Sequence, residues 1–401
     1  MYSKNEVLEF VKEEDVKFIK LAFSDVFGKQ KNVSITDNEL NRAFKTGVAI
    51  DASAINGFGD EARSDLFLHP DPSTLTILPW RPEHGRVVRM FCDITYPDGL
   101  PFECDSRLIL KNAVKAAEEQ GLSFSFGSEM EFYLFKLDEN GKKTDEPYDN
   151  AGYMDVAPED KGENIRREIC LTLEQMGIFP ESSHYEEGAG QNEIDFRYSD
   201  PLTAADDAIT FRQVVRTVAY RNGLFADFSP KPIENAAGNG FHINFSVKSK
   251  SGADVSSNCI AGILNRVEDM TVFLNNTENS YKRLGTNKAP AFIAWSKENR
   301  SELIRIPAAE GDYKRAELRS PDPLANPYIA FALMIYSGIL GVLGNEKLSD
   351  PADFNMYKAS EDILKRYKRL PANLSEAKLK AEKSEFIKKH LPEAIISAYC
   401  E

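Results

Sequence analysis

A chain of 401 residues exceeds what one compact core usually holds, and 42% hydrophobic with 28% charged residues is the balance of a globular protein, so two domains are expected. With 49 Lys and Arg against 63 Asp and Glu, the formal net charge is −14, which repels phosphate backbones and anionic lipid. The longest basic clusters, Lys365-Arg366-Tyr367-Lys368-Arg369 and Lys388-Lys389, read as solvated faces of a lysine- and glutamate-rich tail, so neither nucleic acid nor membrane is an expected partner.

In chain order, the polar start Met1-Tyr2-Ser3-Lys4 has no apolar signal-peptide core. Residues 16–35 alternate apolar and polar around Asp25-Val26-Phe27-Gly28 and predict a β-hairpin. Thr36-Asp37-Asn38-Glu39 has capping-box spacing and predicts a short helix ending at Gly47. Strand-like stretches at 74–79 and 86–94 precede a break at Tyr96-Pro97-Asp98-Gly99, which divides a small domain over 1–100 from a large one over 101–401. Helices follow at 105–120, 163–176, 203–222, 258–276 and 326–343, with extended segments at 124–137, 191–198, 240–248, 291–295, 302–307 and 314–319. The apolar run 329–343 is short of the roughly 20 residues of a spanning helix and contains Tyr, Ser and Gly, so it reads as a buried helix. Five scattered cysteines, never in CxxC spacing, indicate reduced thiols, a cytoplasmic setting and no structural zinc. His69, His84 and His390 read as surface histidines, and Asp195 with Arg197 as a surface pair.

The chemistry is carried by strands whose polar side chains recur at i, i+2 and therefore share a face. Glu129 and Glu131 stand about 7 Å apart by strand rise, opposite Met130, Phe132 and Leu134. Glu193 opposes Ile194 and Phe196, while His242, Asn244 and Ser246 oppose Phe241, Ile243 and Phe245. In Arg315-Ala316-Glu317-Leu318-Arg319, two arginines flank a glutamate. A single such strand would be a sheet with one wet face. Four carrying Glu, His and Arg point to one polar centre, where crowded carboxylates need a cation. Oxygen donors with one imidazole suit Mg²⁺ or Mn²⁺. Arginines suit a polyphosphate, and the lack of a Walker motif places any phosphoryl transfer outside the P-loop class.

Several ordered motifs then resemble the bacterial ring-forming glutamine synthetases, from about residue 5 to about 375. Gly127-Ser128-Glu129-Met130-Glu131-Phe132 resembles the family's G-P-E-P-E-F strand. Glu186-Glu187-Gly188-Ala189-Gly190-Gln191-Asn192-Glu193 resembles E-V-A-P-G-Q-x-E, and Lys231 through Ser246 resembles K-P…G-x-G-x-H-x-x-x-S. Further blocks lie at Ser280 through Leu284, Asn299 through Pro307 and Arg315 through Tyr328. The resemblance implies an α+β fold: a small N-terminal β-grasp-like domain, then a catalytic domain with a curved antiparallel half-barrel flanked by helices. It implies two metal sites, one on Glu131, Glu186 and Glu193 and one on Glu129, His242 and Glu317, loaded with Mg²⁺ or Mn²⁺. ATP would meet Asn244, Ser246, Arg305 and Arg315, and Arg300 would meet the transferred phosphoryl group. Arg283, Arg319 and the Gly238 backbone would hold the amino-acid substrate. A homo-oligomeric ring would place the site at a subunit interface, with Asp51 reaching across it.

Departures concentrate on the amine side. The family flap L-V-P-G-Y-E-A-P, whose glutamate helps deprotonate ammonium, reads Leu284-Gly285-Thr286-Asn287-Lys288-Ala289-Pro290 here. Lys288 thus stands where a carboxylate belongs, and a cation repels ammonium. The substrate-loop asparagine is Ala237, and F-D-G-S-S reads Ile50-Asp51-Ala52-Ser53-Ala54. The expected activity is an ATP-dependent ligase that activates a carboxylate, γ-glutamyl by the resemblance, as an acyl phosphate for attack by ammonia or, given the altered flap, by another amine. One alternative is ordinary glutamine synthesis with Glu187, Glu298 or Glu310 as a substitute base. A nucleotide-binding regulatory homologue without turnover is the other.

Overall fold

A computed structural model describes residues 2–59, 61–308 and 314–401. Its first part begins with α1 (Lys4–Glu13), opened by a Ser3–Glu6 capping box that the sequence reading did not anticipate. The predicted hairpin is β1 (Val16–Ser24) and β2 (Gln30–Thr36). Asp25 builds its turn by accepting the Phe27 and Lys29 amides, and Gly28 sits at φ +74 where a Cβ would fall 2.9 Å from the Asn326 Cα. A 3₁₀ turn precedes α2 (Leu40–Thr46), and Thr36 makes no side-chain cap bond, so the predicted capping box does not form. β3 (Val48–Asp51), β4 (Asp65–Pro70), β5 (Thr76–Ile77) and β6 (Arg86–Thr95) complete the unit. The sheet order is β2-β1-β6-β4-β3, with β5 on β6 and β1 parallel to β6, the wiring of a β-grasp. β3 and β4 escaped prediction because each is short and a stretch rich in Ala, Gly and Ser separates them.

The second part runs α3 (Ser106–Glu119), β7 (Leu122–Leu137), β8 (Lys143–Pro147), α4 (Glu163–Gln175), β9 (Pro180–Tyr185), β10 (Gln191–Ser199), α5 (Pro201–Arg221), β11 (Leu224–Asp227) and β12 (Phe241–Ser249). It continues through α6 (Ser256–Leu274), α7 (Glu278–Arg283), β13 (Trp295–Lys297), β14 (Ile304–Ile306), β15 (Ala316–Leu318) and α8 (Pro327–Leu343), and ends with α9 (Glu361–Leu364), α10 (Leu374–Lys383), α11 (Glu385–His390) and α12 (Glu393–Cys400). Strands run β13-β14-β15-β12-β7-β10-β9 in a curled half-barrel, and β8 and β11 also pair with β7. The piece predicted at 291–295 becomes strand only from Trp295.

Helices pack on the apolar face: Phe126 of β7 stacks on Phe331 of α8 with centroids 4.3 Å apart. α8 is buried almost all round, and no helix among the described residues is long and apolar enough to cross a membrane. His390 is half-buried, not an ordinary surface histidine. It stacks on Tyr336 at 4.0 Å, and burial pushes its imidazole down to about 4.

One buried arginine ties the two parts together. Arg107 of α3 donates to Asp206 of α5 at 3.1–3.2 Å, to Asp93 of β6 at 3.0 Å and to Asp71 at 2.9 Å. The Tyr328 hydroxyl donates to the same Asp206 at 2.6 Å. Removing the cation would leave the buried Asp206 carboxylate facing the half-buried Asp71 with no cation between them. Arg107→Ala is therefore expected to cost about 3–5 kcal/mol, read as a lowered midpoint in denaturant titration.

Candidate active site

Strand register builds the site. β7 lies between β10 and β12, so Glu131 is paired with Glu193, and Glu129 stands between Asp195 on one side and His242 on the other. The next strands extend these rows: Glu193 pairs with His184 of β9, Asn244 with Glu317 of β15, and Glu317 with Arg305 of β14. Because alternate residues share a face, every one of these side chains projects from the concave side, opposite the helices.

His242 Nδ1 lies 3.4 Å from Glu129 and 3.6 Å from Glu317, and its Nε2 lies 3.9 Å from Glu131. Glu317 is fully buried and paired with Arg319 and, at 2.5 Å, with Arg305. Both arginines keep a buried Nε with no partner, a donor left over for an oxygen that this chain does not supply. Asn244 donates to Glu129 at 2.8 Å and accepts from Arg315 Nε at 2.9 Å. Glu131 accepts from Gln191 at 2.9 Å and from the Gly240 amide at 2.8 Å.

These groups open on one cavity, lined by Glu129, Glu131, Glu186, Glu193 and His242 with Gly238, Arg283, Arg319, Arg300 and Lys288. Gly238 is required by its surroundings, since a Cβ there would meet the Pro230 carbonyl oxygen at 2.5 Å. Ser246 and Arg315 line a neighbouring cleft of about 650 Å³, together with apolar Phe245, Ile260 and Pro307 and the cationic Lys297. Such a mixed surface suits a nucleotide. Asp51 does not join the cavity: it is exposed at the end of β3, where its carboxylate accepts from Ser53.

Burial and mutual repulsion polarise the carboxylates. Burial raises Glu193 well above its ordinary value, with Asp195, Glu131, Glu129 and Glu186 adding to the shift. Burial likewise raises Glu131, and burial with the Glu129 charge raises Asp195 to about 6. For Glu129, burial is outweighed by the His242 hydrogen bond and by Asn244 and Arg319, which hold it below the usual range. Burial of Glu186 is outweighed in the same way by its bond to His184. Glu129, His242 and Glu317 place ligand atoms within 4.8 Å of one another, as do His184, Glu186 and Glu193, and Glu129, Glu193 and Asp195. Oxygen donors with imidazole fit Mg²⁺ or Mn²⁺.

The first trio is the predicted second metal set. In the other set, Gln191 and Gly240 both bond one oxygen of Glu131, which leaves the other for a cation beside Glu186 and Glu193, and His184 lies with the same pair. His184 was overlooked because β9, rich in Pro and Ser, carries little strand signal, although His184 and Glu186 have the same i, i+2 spacing. Asp195 does not pair with Arg197. It accepts from Ser182, while Arg197 lies over the Phe179 ring at 5.9 Å.

Residues 103–401 match the family model described as glutamine synthetase, catalytic domain, and residues 15–97 match glutamine synthetase, beta-Grasp domain. Glutamine synthetases of Clostridium saccharobutylicum and Methanosarcina mazei are each 43% identical over 413 residues, covering 99% of this chain and 93% and 92% of theirs. The Staphylococcus aureus enzyme is 40% identical over 414 residues. A solved GmaS/ADP complex has a TM-score of 0.88 at 27% identity, covering 98% of this chain and 93% of that one. A cryo-EM structure of Plasmodium falciparum glutamine synthetase shares the fold, with a TM-score of 0.87 at 23% identity over 100% of this chain and 95% of that one.

The raised carboxylates set a pH test. Groups whose folded values lie above their unfolded ones favour the protonated fold, so their contribution is lost as pH rises from about 4 through about 6 and beyond. Divalent cations bind the deprotonated form. Mn²⁺ is expected to raise the melting temperature more near pH 8 than near pH 5, and Glu193→Gln to flatten that difference, as read by differential scanning fluorimetry.

Proposed function

Because the chain belongs to the glutamine synthetase family, whose members are ATP-dependent ligases that form carbon–nitrogen bonds, we propose that it joins the γ-carboxylate of glutamate to an amine other than ammonia. The observation that carries this reading is Lys288, a cation lining the cavity in the segment whose resemblance to the family flap expects a glutamate. The boundary between the two domains is placed near residue 100, and the working assembly is a ring in which Asp51 serves a neighbouring copy.

The chemistry has two steps. The glutamate γ-carboxylate oxygen attacks the γ-phosphorus of ATP, and ADP leaves with the bridging oxygen. The amine nitrogen then forms a bond to the acyl carbon as the carbon–oxygen bond to phosphate breaks, and inorganic phosphate departs with a proton from nitrogen. Divalent cations on Glu129, His242 and Glu317 and on Glu131, Glu186 and Glu193 would neutralise charge building on the phosphoryl oxygens. Asn244, Ser246, Arg305 and Arg315 orient the nucleotide, and Arg300, exposed at the cavity rim, meets the phosphoryl group in transfer. Arg283, Arg319 and the Gly238 backbone clamp the amino acid, with the spare Nε–H of Arg319 available to its oxygens.

A second reading, glutamine formation from ammonia, has one observation in its favour. Of the three carboxylates weighed as substitute bases, Glu187 lines the cavity, Glu298 lines the neighbouring cleft, and Glu310 lies outside the described residues.

ADP release should require glutamate, Mg²⁺ and an amine together, with ammonia the poorer nucleophile at equal concentration. Hydroxylamine should yield γ-glutamyl hydroxamate, and Glu129→Ala or His242→Ala should lower its rate about 100-fold or more. Efficient glutamine formation at modest ammonia would favour the second reading, and absence of both ADP and hydroxamate would refute the ligase.

A further inference from the structure

We infer that the amine substrate is a zwitterion, an amino acid whose ammonium is received by Glu187 and whose carboxylate is received by Lys288; this rests on the ligase reading above. At the cavity mouth the Lys288 ammonium is paired with the Glu187 carboxylate, across two separate loops. Two opposite charges facing each other over a binding site are the complement of a molecule carrying the same two charges in reverse order. Neither side chain is locked away: they remain 49% and 36% exposed, so the pair opens without stranding a buried charge.

The pair also explains what is refused. A bare ammonium ion arriving at Glu187 displaces Lys288 and gives that lysine nothing in return. A zwitterion compensates both partners. The Tyr153 ring, with Lys288 Nζ 5.2 Å from its centroid, adds a face that stabilises a cation at this spot.

Lys288 is held in place rather than left to wander. Asn287 and Lys288 both adopt left-handed backbone angles, φ +44 and +65, which side chains other than glycine rarely take. The turn persists because the Gly285 amide donates to the Ala289 carbonyl at 3.0 Å and the Ala289 amide to Thr286 at 2.9 Å. From outside, the Tyr357 hydroxyl donates to the same Ala289 carbonyl at 2.9 Å. Lys231 Nζ meets the Thr286 hydroxyl at 3.3 Å. So many ties on so short a loop present one lysine to the cavity.

The step balances without a further reagent. The substrate ammonium gives one proton to water, and the neutral amine attacks the acyl carbon. The carbon–oxygen bond to phosphate breaks as the carbon–nitrogen bond forms, and the second proton leaves on phosphate. Glu187 and Lys288 stay paired to the substrate's own charges until attack, and the product is a γ-glutamyl amide bearing a free carboxylate.

The test uses the full chain with ATP, Mg²⁺, glutamate and amines matched in length: ammonia, ethylamine, propylamine, glycine, β-alanine, 4-aminobutyrate and 1,3-diaminopropane. Products are read by mass spectrometry and ADP by a coupled assay. At least one amino acid should exceed its matched alkylamine about tenfold in kcat/KM. Lys288→Ala should erase that preference through the KM for the amine, and Lys288→Glu should shift preference toward the diamine. That gain of function cannot come from a misfolded variant. Hydroxamate formation without any preference for amino acids overturns the inference and leaves the ligase standing. A Lys288→Ala variant that slows all amines alike and keeps the preference also overturns it. Failure of hydroxamate and ADP formation overturns both.

Discussion

Everything in this molecule is arranged around the crowding of carboxylates on the concave face of β7 and its two neighbours. Glu129, Glu131, Glu193 and Asp195 come from adjacent positions of two paired strands, and their repulsion is a direct result of the register. Burial raises three of the four, while His242, Asn244 and Arg319 hold Glu129 down. A fold that spends stability in this way needs compensation elsewhere. It has it in the opposite face, where β7, β10 and β12 bury Met130, Phe132, Ile194, Phe196, Ile243 and Phe245. One-residue slippage would exchange the two faces, so the apolar side fixes the register that the polar side works against.

A similar logic joins the two parts of the chain. Arg107 gathers Asp71, Asp93 and Asp206 from the N-terminal sheet and the helical layer into one buried node. Arg89 of β6 reaches Thr210 of α5 beside it at 2.6 Å. These are charged contacts in a place where packing alone would permit sliding. Their geometry sets how the β-grasp sheet sits against the helices that back the half-barrel.

The cavity mouth differs in kind from the floor. Its groups come from loops: Glu187 between β9 and β10, Lys288 after α7, and Arg300 between β13 and β14. Loops accept substitution more readily than paired strands, because no register depends on them. That contrast fits a sequence whose strand motifs around Glu129, Glu193 and His242 resemble the family's and whose departure at Lys288 falls in a loop. The segment around Met356 couples two of these loops. Its Met356 amide donates to Ser301, and Tyr357 donates to Ala289, so the Arg300 loop and the Lys288 loop share an anchor.

What the linear order of residues determined is the content of each strand face. Period-two alternation in 127–133, 191–196, 241–246 and 315–319 separates polar from apolar side chains without reference to any neighbour, because strand geometry is local. Long helices were legible for the same reason. What only the tertiary structure decided is which faces meet and which partner each charge takes. β9 was invisible in a Pro- and Ser-rich stretch, so His184 entered the cluster only through its pairing with Glu193. Glu187 and Lys288, 101 positions apart, became an ion pair only when their loops closed on the same cavity. Asp195 turned to Ser182 instead of Arg197, and His390 stacked on Tyr336 half out of solvent. Each of those outcomes depends on contacts far apart in sequence, where periodicity carries no information and only packing and electrostatics select the partner.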